Sequence, residues 1–136
     1  MKCVVADSSP LMRRILTNVL KSGGCEEILV AENGSQAIEA CDAETSLLVT
    51  AWNLPEADGL EVTRKLRQGE GTAGVKVLLV TPRNSRTDVM NAKDAGVNGY
   101  LLRPFTPEDL RGAVQRLLEA GSTPQEVTPP PEAAAA

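Results

Sequence analysis

Short aliphatic runs recur along the chain and are separated by longer amphipathic stretches. These runs are continuously apolar instead of alternating with polar residues, which is the pattern of strands that are buried on both faces of a parallel sheet. Five strands are therefore predicted, at Lys2–Ala6, Glu27–Ala31, Leu47–Ala51, Val75–Thr81 and Gly99–Arg103.

The stretches between these runs place apolar residues on one helical face and carry helix start and stop signals. Asn33 and the Thr106-Pro107 pair are N-terminal signals. The predicted helices are Pro10–Ser22, Gly34–Glu44, Gly59–Gln68, a helix from Ser85 or Thr87 to Gly96, and a helix from Thr106 that stops at Gly121. The alternation predicts an α/β fold, a doubly wound five-stranded parallel sheet with five helices.

Composition and charge fit one acidic globular domain. The chain has 136 residues, of which 42% are hydrophobic and 24% charged, and its net charge is −4. We place the domain at residues 1–120 and interpret the proline- and alanine-rich residues 121–136 as a flexible tail or linker. The acidic balance disfavours direct nucleic-acid binding. Because no apolar run approaches the roughly 20 residues of a membrane span, a soluble, cytoplasmic protein is predicted.

Two residue types narrow the chemistry further. The chain contains no histidine, which removes the commonest metal ligand and the commonest general base. Its three cysteines, Cys3, Cys25 and Cys41, are far apart in the sequence and odd in number. This pattern fits neither a disulfide framework nor a zinc site, so buried or inert thiols in a reducing compartment are expected.

The carboxyl ends of the strands are where a doubly wound sheet carries its binding sites. Polar residues gather at these junctions, above all in the segment Asp7-Ser8-Ser9-Pro10. The three aromatic residues of the chain, Trp52, Tyr100 and Phe105, lie in or just before such junctions. We therefore expect an aliphatic core with the aromatic residues at its rim.

Four segments of the chain resemble one known family. VVADSSPLMRRIL, TAWNLPEADGLEVTRKLR, VLLVT and GYLLRPFTPEDL are similar to the response-regulator receiver domains, often called CheY-like. The resemblance extends from Met1 to about Ala120. It implies a flavodoxin-like fold of the receiver type, in agreement with the fold that the hydrophobic pattern predicts.

The resemblance also implies a phosphorylation pocket, which this chain matches only in part. Typical members end the first strand with two acids that bind magnesium, whereas here Asp7 is followed by Ser8. They end the third strand with the aspartate that accepts a phosphoryl group, and this position holds Ala51. With Asn53 as the other nearby oxygen donor, the magnesium site is predicted to be lost, and no metal, cofactor or enzymatic activity is expected.

Two further pocket positions follow from the same resemblance. The hydroxyl residue that contacts the phosphoryl oxygens is kept as Thr81, while the lysine that pairs with the phosphoryl group is replaced by Arg103. We predict that Arg103 reaches the space beside Ala51 and pairs with Asp7, because a guanidinium group forms bidentate bonds to a carboxylate.

The family usually meets its partners through the fourth helix, fifth strand and fifth helix. The corresponding residues here are Val89, Met90, Lys93, Tyr100 and Phe105. The implied partner is a signalling protein such as a histidine kinase or an output protein, with no role for a membrane.

The leading hypothesis is a degenerate receiver that acts as a phosphorylation-independent protein-interaction module in a two-component or phosphorelay system. One alternative is an authentic phosphoryl-accepting receiver in which an engineered Ala51 replaced the acceptor. A third interpretation, a small enzyme or nucleotide binder on a flavodoxin-like fold, is disfavoured because no glycine-rich loop follows the first strand.

Overall fold

A computed structural model describes residues 1–119 and contains one parallel five-stranded sheet. The strands lie in the order β2-β1-β3-β4-β5, which confirms the predicted fold. Their bounds are β1 Lys2–Ala6, β2 Glu27–Ala31, β3 Thr45–Ala51, β4 Lys76–Thr81 and β5 Gly99–Leu102. The predicted helix end at Gly121 and the predicted tail at 121–136 lie outside the described residues.

Five helices connect and follow the strands, and polar side chains cap their first turns. Asn33 accepts a hydrogen bond from the backbone N–H of Gln36, and Ser85 does the same for Asp88, so the fourth helix starts from Ser85 rather than Thr87. The helices are α1 Pro10–Ser22, α2 Gly34–Ala40, α3 Gly59–Gln68, α4 Arg86–Ala95 and α5 Pro107–Glu119. None of the helices in residues 1–119 is long and apolar enough to cross a membrane.

The sheet separates two hydrophobic cores, because neighbouring residues of a strand point to opposite faces. Val4, Leu48 and Leu79 pack with α2, α3 and α4 on one face. Val5 and Val49 pack with α1 and α5 on the other face. The three inner strands are therefore buried on both sides, as their continuous hydrophobicity predicts.

The predicted boundary between α2 and β3 is wrong by several residues. The helix ends at Ala40 instead of Glu44, and β3 begins at Thr45 instead of Leu47. A tight turn separates them: the backbone N–H of Thr45 donates to the carbonyl of Asp42 at 3.1 Å, and the Thr45 hydroxyl accepts from the Asp42 N–H at 2.9 Å. Because these local bonds compete with the helix, the sequence Asp42–Thr45 ends it early.

The expectation of an aliphatic core with aromatic residues at the rim is also wrong. Trp52 and Tyr100 are 7% and 4% exposed and belong to the core beneath α2, α3 and α4. Phe105 is half-buried and packs against the opposite core. The loops at the carboxyl edge thus extend the core beyond the strands, which the strand pattern alone does not reveal.

Candidate functional site

The carboxyl ends of β1, β3 and β4 form one cavity of about 240 Å³. The three strands are direct neighbours, with Ala6 of β1 opposite Thr50 of β3 and Ala51 opposite Val80 of β4. All six pocket residues predicted from the sequence line this cavity, whose walls are Asp7, Ser8, Ser9, Ala51, Trp52, Asn53, Val80, Thr81, Pro82 and Arg103.

Asp7 is the buried acid of the cavity. It is 4% exposed, and its Oδ1 accepts a hydrogen bond from the Ser9 backbone N–H at 2.8 Å. Its Oδ2 is buried and has no hydrogen-bond partner among the described residues. A buried polar atom without a hydrogen-bond partner lowers the free energy of unfolding, so this oxygen destabilises the fold locally.

The predicted ion pair between Arg103 and Asp7 is wrong. Arg103 is half-buried and lines the cavity, but the ion pairs of residues 1–119 do not include these two side chains. Arg103 follows β5, so β3 and β4 stand between it and β1 in the sheet. Three strand spacings separate the backbones of β1 and β5 by about 14 Å, which is a long reach for one side chain. Because Arg103 is partly exposed, water solvates its guanidinium group and no carboxylate partner is needed.

The Thr81 hydroxyl is fixed by the loop that follows it. Thr81 is 1% exposed, and its Oγ1 accepts the Arg83 backbone N–H at 3.2 Å. Its carbonyl accepts the Arg103 backbone N–H at 3.0 Å, which joins the ends of β4 and β5. Thr81 therefore connects the cavity to the segment that leads into α4.

Arg83 fastens the loop after β4 across the cavity rim. Its guanidinium carbon lies 4.5 Å from the centre of the Trp52 ring, and Nη2 donates to Oδ1 of Asn53 at 3.4 Å. Its Nη1 lies 3.6 Å from Oδ1 of Asp88, and its carbonyl accepts the Tyr100 hydroxyl. Sequence reasoning missed this role, although an arginine and a tryptophan after neighbouring strands were a usable signal.

Tyr100 is buried instead of lining an exposed face. Burial, together with the nearby charge of Asp88, raises the pKa of its hydroxyl to about 12, so the phenol is a hydrogen-bond donor at neutral pH. Val89 also packs partly against the core, whereas Met90 and Lys93 are exposed. The surface that α4 offers is therefore smaller than the sequence predicts.

Comparison with known proteins identifies the architecture. Residues 3–115 match the family model described as the response regulator receiver domain. The chain belongs to the response-regulator receiver domain family. It is 38% identical over 120 residues to the chemotaxis protein CheY1 of Helicobacter pylori, covering 87% of this chain and 97% of that protein.

Two more receivers support the same assignment. The chemotaxis protein CheY of Pseudomonas aeruginosa is 33% identical over 120 residues, which cover 88% of this chain and 97% of that protein. The chemotaxis response regulator CheY4 of Vibrio cholerae superposes with a TM-score of 0.80 at 27% identity, covering 86% of this chain and 98% of that one.

The donor set of this receiver does not fit a magnesium ion. Among the residues that line the cavity, Asp7 is the only carboxylate, and its Oδ1 is engaged by Ser9. Residues 1–119 contain no group of three acid, cysteine or histidine side chains arranged to hold a metal. Magnesium prefers several oxygen ligands in octahedral geometry, usually including carboxylates, so a single free Asp7 oxygen is a poor site.

We expect Asp7→Asn to raise the free energy of unfolding of the receiver at pH 7 by about 1 kcal/mol. The amide keeps the acceptor for the Ser9 N–H and removes the charge next to the unpartnered oxygen. Urea unfolding measures the change, with Asp94→Asn as an exposed control. A loss of stability on Asp7→Asn would show instead that a cation, such as Arg103, pairs with this carboxylate in solution.

We expect Arg83→Ala to uncover Trp52 and to lower the free energy of unfolding by about 1 kcal/mol. Since Trp52 is the only tryptophan, its emission should shift to the red and its acrylamide quenching should increase. Arg86→Ala, which removes an exposed arginine from the same segment, is the matched control. Unchanged quenching of the Arg83→Ala variant would contradict the fastening role.

Proposed function

We propose that this receiver is a protein-interaction module of a two-component or phosphorelay system that works without its own phosphorylation. The observation that carries the proposal is Ala51 at the carboxyl end of β3, in the wall of the cavity. An alanine methyl group has no oxygen that can attack phosphorus, so an acyl phosphate has no place to form. The proposal includes the expectation that the domain is not an enzyme.

The rest of the cavity supports the same conclusion. Phosphoryl transfer depends on positioning and on neutralisation of charge by bound magnesium. Ser8 stands where the resemblance implies a metal-binding acid, and its neighbour Asp7 is the single carboxylate of the cavity. Arg103 replaces the lysine that the resemblance implies. The acceptor, a metal ligand and the counter-charge are thus changed together, whereas one engineered substitution would alter only position 51.

A receiver without an acceptor needs another source of control. A two-state domain shifts only when something binds one state better than the other, and a phosphoryl group is not available here for that purpose. We propose that a cytoplasmic signalling protein, such as a histidine kinase or an output protein, supplies this bias. Met90 and Lys93 are the exposed α4 residues that we propose for contact, and neither a membrane nor a nucleic acid is required.

Intact mass spectrometry tests the proposal directly. The receiver is incubated with magnesium and a small phosphoryl donor such as acetyl phosphate, beside Ala51→Asp and the triple variant Ser8→Asp/Ala51→Asp/Arg103→Lys. We expect no phosphoryl adduct on the unchanged chain, a slow reaction of the single variant and a faster one of the triple variant.

Each other outcome has a defined meaning. An acid-stable or hydroxylamine-sensitive phosphoryl adduct on the unchanged chain contradicts the proposal. Rapid reaction of Ala51→Asp alone, equal to that of the triple variant, shows that Ser8 and Arg103 leave the chemistry intact and favours a single replaced acceptor.

A further inference from the structure

Two cysteine sulfurs lie in direct contact within the core beneath α1 and α5. Sγ of Cys25 is 2.7 Å from Sγ of Cys3, and the two residues are 5% and 0% exposed. Non-bonded carbon atoms are at optimal separation at about 3.5–4.0 Å, and sulfur is larger than carbon. A disulfide bond is about 2.05 Å long, so a small approach of the two atoms suffices to form one.

The backbone holds both sulfurs at this place. Cys3 is an inner residue of β1, where it lies opposite Ile28 of the neighbouring strand. Cys25 follows the end of α1, and its backbone N–H donates to the carbonyl of Leu20 at 3.1 Å. Gly24, with a φ of +98°, makes the turn that directs the chain from the helix to Cys25. The sheet and the helix end therefore align the pair without an unfolding step.

We propose that Cys3 and Cys25 are a redox modification site that forms a reversible intramolecular disulfide when the protein meets a peroxide. Hydrogen peroxide first oxidises one thiol, Cys25 being the more exposed of the two, to a sulfenic acid and releases water. The Cys3 sulfur then displaces a second water and forms the S–S bond. In total the two thiols lose two electrons and two protons, and the peroxide takes them up to become two water molecules.

The third cysteine cannot take part in this pair. Cys41 lies in the core beneath α2, α3 and α4, on the opposite face of the sheet from Cys3 and Cys25. The sheet therefore stands between the Cys41 sulfur and the sulfurs of the pair. Cys41 is 7% exposed and so about as buried as Cys25, which makes it a control for thiol oxidation that needs no partner sulfur.

The disulfide would tie the start of β1 to the end of α1. Met1 and Leu20, whose carbonyls lie next to Cys25, also line a groove of about 290 Å³ between α1 and α5. The Met1 carbonyl lies 3.4 Å from Sγ of Cys25. Because the bond closes a loop that includes the whole of α1, we expect the oxidised chain to unfold at a higher temperature than the reduced chain.

The experiment treats the full chain with increasing hydrogen peroxide, alkylates it under denaturing conditions and identifies peptides by mass spectrometry. Before alkylation, the intact mass should fall by two hydrogen atoms. After alkylation, one of the three cysteines should carry the alkyl group, and a peptide joining Cys3 to Cys25 should appear. Dithiothreitol should reverse the change. Cys41→Ser should behave as the unchanged chain, whereas Cys3→Ser and Cys25→Ser should lose the cross-link.

The unchanged chain alone decides the outcome, whether or not the serine variants fold. Three free thiols after treatment, a sulfinic acid on Cys25 without a cross-link, or a disulfide that includes Cys41 would each overturn the proposal. None of these results depends on the phosphorylation state of the receiver. Failure of this proposal would therefore leave the proposed signalling function unaffected, and the reverse is also true.

Discussion

Replacement of Arg67 by methionine should lower the free energy of unfolding by about 3 kcal/mol. The guanidinium group lies between the segment before β4 and the segment before β5. Its Nη1 donates to the carbonyls of Val75 at 2.6 Å and Ala73 at 3.0 Å. Its Nε and Nη2 donate to the carbonyl of Gly96 at 3.1 and 2.7 Å, and Nη2 also reaches Oδ1 of Asn98 at 2.6 Å.

Loss of these bonds removes the arginine donor from the carbonyls of Val75 and Gly96, and Val75 is 2% exposed. Asn98 is 2% exposed, and the same Oδ1 accepts the Val77 backbone N–H at 2.8 Å, so the arginine also fixes the start of β4. Methionine keeps a long unbranched stem but lacks the donors and the positive charge, so a control variant must carry the same loss of charge.

Urea unfolding followed by circular dichroism measures the Arg67 effect. Arg64→Met is the matched control, because Arg64 is an exposed arginine of the same helix, and its change should stay within about 0.5 kcal/mol. Equal losses for both variants would show that the effect comes from helix propensity instead of the hydrogen bonds.

Gly59→Ala should destabilise the receiver by about 3 kcal/mol. A Cβ atom at this position would lie 2.4 Å from the carbonyl oxygen of Ala51 and 2.9 Å from Cδ1 of Leu79. The Gly59 backbone N–H donates to the carbonyl of Trp52 at 2.8 Å, so the start of α3 is pressed against the end of β3. Relief of this clash would require the start of α3 to move away from Ala51, which lines the cavity.

Gly74→Ala is the control for the Gly59 substitution. A Cβ at Gly74 meets no atom within 4 Å. The free energy of unfolding of this variant should therefore lie within about 0.5 kcal/mol of that of the unchanged chain. Thermal and urea unfolding of both variants compare the two sites. If Gly59→Ala is as stable as Gly74→Ala, the close approach of α3 to β3 is absent in solution.

The strands, their parallel arrangement and most helix starts could be predicted, because they follow from the alternation of apolar runs with amphipathic stretches and from local capping residues. Continuous apolar runs mark β1 and β4, and a side chain such as Asn33 caps the helix that follows it. The α2 end at Ala40 escaped prediction because the Asp42–Thr45 turn competes with a helical pattern. Helix propensity alone does not show whether the turn or a longer helix is more stable.

The site could be predicted as a set of residues but not as a set of contacts. Strand-end positions place Asp7, Ala51 and Thr81 in one cavity, since the carboxyl ends of neighbouring parallel strands meet. Whether Arg103 reaches Asp7 depends on distance across the sheet and on solvation, which residue types do not encode. The contact between Cys3 and Cys25 escaped for the same reason, because separation in the sequence says nothing about distance in space.

The central claim is that this receiver has no site for magnesium and a phosphoryl group together. The most direct test records amide NMR spectra of the unchanged chain while magnesium and then beryllofluoride, a phosphoryl mimic, are added. The triple variant Ser8→Asp/Ala51→Asp/Arg103→Lys is the positive control. We predict no saturable shifts at Asp7, Ala51 or Thr81 of the unchanged chain; saturable shifts that centre on these residues would contradict the claim.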